Sequence, residues 1–153
     1  MNTTYYYKSP IGIIKFICNE AFLVEMSFVE KEQENLDKYP SIVSACKEQL
    51  DLYFAGNLER FTIPLEFTRG TDFQRSVWSA LESIPYGETR SYKDMANQIG
   101  NPKAARAVGG ANNKNPISIV IPCHRVIGSN GKLVGYASGI EKKEILLKLE
   151  EKK

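Results

Sequence analysis

The residues with the clearest chemical potential are a cysteine and the only histidine of the chain, which are neighbours at Cys123 and His124. They follow the apolar run Ile119–Ile121 and Pro122, and Arg125 comes next. A cysteine attacks as the thiolate, which is a minor species at neutral pH. A nearby imidazole can accept the thiol proton, and a cation such as Arg125 favours the anion. The pattern predicts a nucleophilic thiol, and the alternative is an inert cysteine at the end of a buried strand.

The composition limits the classes of protein that are possible. The chain has 153 residues, 42% of them hydrophobic, which suits one domain or two small ones with a real core. Three cysteines without short spacings (Cys18, Cys46 and Cys123) indicate a reducing compartment and not a disulfide framework. With one histidine a structural zinc site is not expected, and we expect neither a metal nor a cofactor. The first residues lack the pattern of a secretion signal and no apolar run could span a membrane, so we expect a cytoplasmic protein.

Charge is divided unevenly along the chain, although the net charge is only +2. Residues 1–67 carry 6 Lys/Arg and 10 Asp/Glu, whereas residues 68–153 carry 14 Lys/Arg and 8 Asp/Glu. A basic half joined to an acidic half favours a polyanionic partner for the basic half. An ordinary solvated surface is the alternative.

Residues 1–67 are predicted to form one domain, a β-meander followed by a helix. Strands are predicted over Thr3–Lys8, Ile13–Cys18 and Phe22–Phe28, because β-prone runs are separated by turn residues. Apolar residues at helical spacing predict a helix over Ser41–Ala55.

Residues 68–153 are predicted to form a second, mostly helical domain. Thr71 and Gln74 match a capping box that opens a helix running to Ile84. Further helices are predicted over Ser91–Ile99, Lys103–Asn112 and Ile140–Glu150, the last with Ile145, Leu146 and Leu149 facing inward. Helix, short turn and helix is the layout of a helix-turn-helix, so the whole chain is predicted to be an α/β protein of the α+β kind.

The second helix of that motif is unusual because it is almost entirely small residues around one long side chain, Arg106. Gly109 and Gly110 each weaken a helix by about 1 kcal/mol relative to alanine. Either tight helix packing requires them, or a slim helix surface enters the narrow minor groove of DNA. Major-groove reading needs several polar side chains, which this helix lacks, so we expect little sequence preference.

Three segments of the second domain carry a family resemblance: Arg106–Ala111, then Asn115-Pro116, then Ile121–Val126. At this spacing they resemble the O6-alkylguanine-DNA alkyltransferases, also called methylated-DNA–protein-cysteine methyltransferases. Further residues in register are Tyr86-Gly87-Glu88, Ser91-Tyr92, Gly135-Tyr136 and Glu150. The resemblance is dense from about Asp72 to Glu150, and residues 1–67 match only in outline.

The resemblance implies direct repair of DNA, in which an alkyl group moves from O6 of guanine, or from O4 of thymine, to Cys123. His124, acting through a water molecule, is implied as the general base, and Glu150 as the residue that orients it. Tyr136 would donate to the departing base, and Asn115 would tie together the turns that carry the cysteine. The thioether is stable, so each molecule should act once.

The resemblance also implies a minor-groove complex with double-stranded DNA, from which the damaged nucleotide is flipped out. Arg106 would take the vacated place in the stack, and Tyr92 would crowd the 3′ phosphate. The remaining DNA contacts are assigned to Ala105, Gly109, Gly110 and Arg125, and the base pocket to Val126, Ala137 and Ser138. We expect a monomer.

Three other functions compete with this interpretation. A non-catalytic damage sensor of the alkyltransferase-like kind would lack the reactive thiol, which is present as Cys123. A sequence-specific regulator would need a more polar recognition helix. A cysteine hydrolase is disfavoured because adjacent residues on an extended segment, as Cys123 and His124 are expected to be, point to opposite sides.

Overall fold

The protein folds into two compact units, as seen in a computed structural model that describes residues 2–151. The boundary between the units lies between Thr68 and Arg69 of the chain. The first unit combines a sheet with a helix and the second is mostly helical, which confirms the predicted α+β class. Within the described residues, no helix is both long and apolar enough to cross a membrane.

The N-terminal unit is built on an antiparallel three-stranded sheet in the order β1-β2-β3. Its strands are β1 (Thr3–Ser9), β2 (Gly12–Cys18) and β3 (Leu23–Val29). Alternate residues of β2 are fully buried, namely Ile14, Phe16 and Cys18. This period of two places one face of the central strand in the core, and the predicted meander is confirmed to within a residue or two at each strand end.

Helix α1 (Ser41–Phe54) packs against β1 and completes the N-terminal core. Its buried residues lie at helical spacing and include Cys46 and Leu50. Cys46 meets Cys18 there, with the two Sγ atoms 3.9 Å apart, and both remain free thiols.

Within the described residues, the C-terminal unit contains four α-helices. They are α2 (Asp72–Leu81), α3 (Tyr92–Gln98), α4 (Ala105–Asn113) and α5 (Ile140–Leu149). The predicted capping box is present, because Thr71 accepts from the Gln74 amide and the Gln74 side chain accepts from the Thr71 amide. Helix α2 ends three residues before Ile84, where a tighter turn joins the Ile84 amide to the Leu81 carbonyl at 3.1 Å.

Helices α3 and α4 form the helix-turn-helix and pack together with α2. The buried indole of Trp78 on α2 donates to the carbonyl of Ala111 on α4 over 2.8 Å. This bond satisfies the only polar atom of a large core side chain and fixes α4 against α2.

Three local features differ from the sequence-based expectations. Cys123–Arg125 forms a single 3₁₀ turn and not an extended segment, because the Arg125 amide bonds the Pro122 carbonyl at 3.0 Å. Immediately after it, β5 (Val126–Ile127) pairs in parallel with β4 (Arg90–Ser91). On α5, Leu146 is buried as predicted, but Ile145 is exposed and Lys143 is fully buried.

Candidate active site and nucleic-acid interface

Cys123 opens the 3₁₀ turn and is 4% exposed. Its carbonyl accepts from the buried Asn112 side chain at 3.3 Å and from the Val126 amide. Helix α4, which carries Asn112, therefore holds the backbone of the reactive turn directly. Sequence reasoning missed Asn112 because its partner lies eleven residues further along the chain.

Asn115 clamps the segment that leads to the cysteine. Its side-chain amide donates to the Ile121 carbonyl at 2.8 Å, and its oxygen accepts from the Ile117 amide at 3.0 Å. Between these anchors Ile119 is held at φ 72°, a left-handed conformation that costs a branched residue about 1–2 kcal/mol. The two hydrogen bonds of Asn115 stabilise a bend in residues 117–121, and this bend places Cys123 at the start of its 3₁₀ turn.

A buried network of charges surrounds the carboxylate of Glu150. His124 Nε2 lies 2.7 Å from Glu150 Oε2, Arg125 Nε donates to Oε1 at 2.7 Å, and Arg125 Nη2 donates to Oε2 at 3.1 Å. Burial alone would raise the pKa of Glu150, but the hydrogen bonds and charges of His124 and Arg125 outweigh it and lower the pKa to about 2. Glu150 is therefore an anion at neutral pH.

The network also sets the protonation pattern of His124. A carboxylate only accepts, so a neutral His124 carries its proton on Nε2 and leaves Nδ1 as an acceptor. His124 Nδ1 is buried and has no protein partner among the described residues. The imidazole is thus oriented by one nitrogen and available as a base through the other.

Arg125 requires a correction, because it was assigned to DNA and lies inside the unit. It is 7% exposed, and its remaining guanidinium nitrogen, Nη1, donates to the Ile84 carbonyl at 2.7 Å. A phosphate could reach this group only by breaking the bonds with Glu150, which leaves a buried charge uncompensated. The 3₁₀ turn directs Arg125 inward, and Arg125 is a partner of Glu150.

The surroundings of the Cys123 thiol favour its protonated form. Burial raises the pKa of Cys123, although Asn115, Lys143 and Ser118 each lower it in part. A buried thiol is unreactive until a base removes its proton.

Tyr136 is a second buried group that keeps its proton. Burial, followed by the negative charges available to Cys123 and Glu150, raises the pKa of Tyr136 well above its ordinary value. Among the described residues its hydroxyl has no hydrogen-bond partner of good geometry, although Ser118 lies beside it. Ser118 was not predicted as a site residue, because a serine in an apolar run gives no signal by itself. The hydroxyl of Tyr136 is available as a donor.

An open groove of about 560 Å³ lies beside Tyr136 and is also lined by Ser138 and Ile140. Of the residues assigned to the base pocket, Ser138 is half-buried, Ala137 is exposed and Val126 is fully buried. Among residues 2–151, no three His, Cys, Asp or Glu side chains come together as a metal site.

The predicted DNA-facing residues lie on the helix-turn-helix. Arg106 projects from α4 and is exposed, and Ala105 next to it is half-buried. Tyr92 begins α3, where its hydroxyl donates to the Val134 carbonyl at 2.9 Å.

The two glycines of α4 differ in their surroundings. A Cβ at Gly109 would contact the Tyr92 ring at 3.8 Å, an ordinary distance. A Cβ at Gly110 would meet nothing within 4 Å. Tight packing within the unit therefore explains neither glycine, and at Gly110 the surface of α4 is open.

A helix-turn-helix beside a buried Cys-His-Glu site defines a class of protein in which a thiol reacts next to a nucleic-acid-binding surface. Two family models match the chain: the DNA-binding domain of 6-O-methylguanine DNA methyltransferase over residues 72–152, and the ribonuclease-like domain of the same protein over residues 3–67. The chain belongs to the 6-O-methylguanine DNA methyltransferase family.

Individual relatives are similar over nearly the whole chain. The methylated-DNA–protein-cysteine methyltransferase of Methanosarcina acetivorans is 53% identical and covers 94% of this chain and 95% of its own length. The O6-methylguanine methyltransferase of Mycobacterium tuberculosis is 48% identical in its crystal structure, with a TM-score of 0.88, 99% of this chain covered and 93% of its own. Mycobacterium tuberculosis OGT in complex with DNA matches with a TM-score of 0.86 and 48% identity, covering 98% of this chain and 92% of that chain.

The Glu150 network predicts a specific acid sensitivity. Because the folded pKa of Glu150 is depressed to about 2, its contribution is present above the unfolded value of about 4.3 and is lost as the pH falls towards 2. We expect Glu150→Gln to lower the free energy of unfolding by about 3 kcal/mol at pH 7 and by about half as much at pH 3. Urea unfolding at both pH values measures the difference.

Glu144→Gln is the matched control, because Glu144 lies on the same helix with a 54% exposed side chain paired to Lys148 at 3.8 Å. It should change stability by less than about 1 kcal/mol at either pH. Equal effects of the two substitutions would contradict the assigned role of the network.

Proposed function

We propose that this chain repairs DNA by direct reversal, transferring a methyl or larger alkyl group from O6 of guanine to its own Cys123. O4-alkylthymine is a second substrate of the same chemistry. The observation that carries the proposal is the buried Cys123 next to His124, whose imidazole is fixed by Glu150 at 2.7 Å. The relatives named methylated-DNA–protein-cysteine methyltransferases support it over 94% of the chain.

The proposed reaction is an in-line displacement. His124 Nδ1 removes the Cys123 proton through a water molecule, and the thiolate attacks the alkyl carbon. The new C–S bond forms as the bond between carbon and O6 breaks, and Tyr136 supplies a proton or hydrogen bond to the departing guanine. The raised pKa of Tyr136 suits a hydrogen-bond donor, since the hydroxyl keeps its proton at neutral pH.

We propose that Val126, Ala137 and Ser138 bind the extruded base. The Val126 carbonyl accepts from the guanine amino group, together with the Cys123 carbonyl, and the Ala137 amide reaches O6. The Cys123 carbonyl already accepts two hydrogen bonds in the free protein, from the Asn112 side chain and the Val126 amide. Asn115 contributes by fixing the segment that delivers Cys123.

On the DNA side, we propose that α4 enters the minor groove of double-stranded DNA with little sequence preference. Arg106 fills the gap left by the flipped nucleotide, and Tyr92 lies against the 3′ phosphate. Ala105, Gly109 and Gly110 supply a surface without bulky side chains. Binding and transfer both belong to residues 68–153, and the protein acts in the cytoplasm as a monomer.

The first test is self-alkylation, read as the mass of the intact protein after incubation with duplex DNA that contains one O6-methylguanine. We expect the mass of one methyl group to be added, once per molecule, because the thioether is stable. Cys123→Ala should gain no mass and still bind the duplex. Tight binding without mass gain in the wild type would identify a sensor, and neither binding nor gain would favour a hydrolase.

The role of Arg106 is tested by comparing two substrates. Arg106→Ala should slow repair of the duplex about tenfold or more, because the extruded nucleotide is no longer replaced in the stack, and should spare reaction with free O6-benzylguanine. Lys114→Ala, an exposed cation at the end of α4, is the matched control and should affect the duplex much less. Loss of equal size on both substrates by Arg106→Ala would remove the flipping role.

Gly110 gives an independent test of where DNA lies. Because a Cβ at Gly110 meets no protein atom within 4 Å, Gly110→Ala should stabilise the protein by about 0.5–1 kcal/mol through helix propensity. The same methyl should weaken duplex binding if α4 lies deep in the minor groove. Urea unfolding and fluorescence anisotropy with labelled duplex measure the two effects, and unchanged DNA affinity would contradict this docking.

A further inference from the structure

Three buried side-chain atoms have no hydrogen-bond partner among residues 2–151: Asn112 Oδ1, His124 Nδ1 and the hydroxyl of Tyr136. Buried polar groups are almost always paired, because an unpaired one loses its hydration without compensation. The proposed reaction already uses two of these atoms, since His124 Nδ1 takes a proton and Tyr136 donates to the departing base. The oxygen of Asn112 is the one that the reaction leaves without a role.

The contact between Asn112 and Cys123 fixes which end of the Asn112 side chain is unpaired. The side chain is 1% exposed, and its nitrogen lies 3.3 Å from the carbonyl oxygen of Cys123. A carbonyl oxygen can only accept, so the NH₂ group faces Cys123 and the amide oxygen is directed elsewhere. Because Oδ1 and Nδ2 are bonded to the same carbon, an unused acceptor lies close to the carbonyl of the reactive residue.

The chemistry of the substrate identifies a donor for this oxygen. An O6-alkylguanine carries no hydrogen on N1, so the exocyclic amino group is the N–H donor of its base. The amino group has two hydrogens, and the proposed pocket directs it to the backbone carbonyls of Cys123 and Val126. The Cys123 carbonyl already accepts from the Asn112 side chain and the Val126 amide. One hydrogen of the amino group therefore still needs an acceptor.

Resting on the proposed function, we propose that Asn112 is a specificity-determining residue of the base pocket, whose Oδ1 accepts a hydrogen bond from the amino group of the extruded O6-alkylguanine. The two ends of one side chain then have different tasks: Nδ2 supports the reactive turn and Oδ1 recognises the base. An O4-alkylthymine has no N–H donor on its base, so it leaves Oδ1 unpaired. Asn112 thereby favours guanine over thymine as the source of the alkyl group.

The test compares three duplexes that differ in one base: O6-methylguanine, O6-methylhypoxanthine, which lacks the amino group, and O4-methylthymine. The rate of methyl transfer to the protein is followed by intact mass under single-turnover conditions. In the wild type we expect the guanine duplex to react at least about tenfold faster than the hypoxanthine duplex. The reason is that a bound base without the amino group leaves buried acceptors unpaired.

Asn112→Leu removes the acceptor and keeps the branched shape of the side chain. We expect the ratio of the guanine rate to the hypoxanthine rate to fall about tenfold from its wild-type value. Loss of the Nδ2 bond to Cys123 slows both reactions alike and leaves this ratio unchanged, so the ratio separates base recognition from support of the turn. An unchanged ratio in the folded variant would overturn the proposal, and is the result expected if water pairs with Oδ1.

Asn112→Asp provides an independent measurement that does not require Asn112→Leu to fold. Burial favours the protonated form of a carboxyl group, which keeps one donor and one acceptor. We expect this variant to retain the wild-type ratio, and a lost ratio in folded Asn112→Asp would contradict the proposal. Asn113→Leu is the matched control, because it makes the same change at an exposed position of α4 and should not alter the ratio.

The thymine duplex separates this inference from the proposed function. Asn112→Leu should narrow the preference for guanine over thymine about tenfold, since thymine has no donor to lose. Transfer from the guanine duplex with a preference that does not respond to Asn112→Leu would overturn this inference alone. No transfer to the wild type from any of the three duplexes would overturn the proposed function, and this inference with it.

Discussion

The C-terminal unit depends on one buried carboxylate, that of Glu150. Both of its oxygens are used, by the guanidinium of Arg125 and the imidazole of His124. Arg125 extends the network to the Ile84 carbonyl, just after α2. Burying these groups is costly unless each is matched, so the reactive turn, the end of α5 and the end of α2 form a single arrangement. The orientation that Glu150 gives to the His124 imidazole follows from this requirement.

Burial acts on the thiol of Cys123 as well as on the charged network. Desolvation raises the pKa of Cys123, which favours the protonated and less nucleophilic form of the thiol. The fold compensates with groups that favour the anion: Asn115 and Ser118 as neighbours of the sulfur, and Lys143 as a charge. Reactivity is thereby tied to removal of one proton.

Helix α4 contributes to both the surface and the interior of the C-terminal unit. Helix α4 presents Arg106 and the open position at Gly110, and on its other side it supplies Asn112 to the Cys123 carbonyl and the Ala111 carbonyl to Trp78. One nine-residue helix thus provides both the small-residue surface and the support of the reactive turn. Displacement of α4 would move Cys123, which makes the helix a physical link between the surface and the thiol.

The sequence by itself determined the elements that local interactions decide. The meander and α1 follow from alternation and helical spacing, and the start of α2 follows from Thr71 and Gln74, three residues apart. The adjacency of Cys123 and His124 and the family motifs could also be recognised from the sequence, because neighbouring residues and short spacings do not depend on the tertiary structure. The site roles drawn from those motifs remain predictions.

Tertiary structure alone decided where the charged side chains point. Arg125 follows the reactive pair in sequence, yet its partners Glu150 and Ile84 lie 25 and 41 residues away and direct it inward. Lys143 resembles a solvated helix residue in the sequence, yet it is fully buried and its Nζ donates to the Val134 carbonyl, whereas Ile145, which was predicted to face inward, is exposed. Apolar burial can be read from periodicity, whereas a charge is buried only where distant residues supply its compensation.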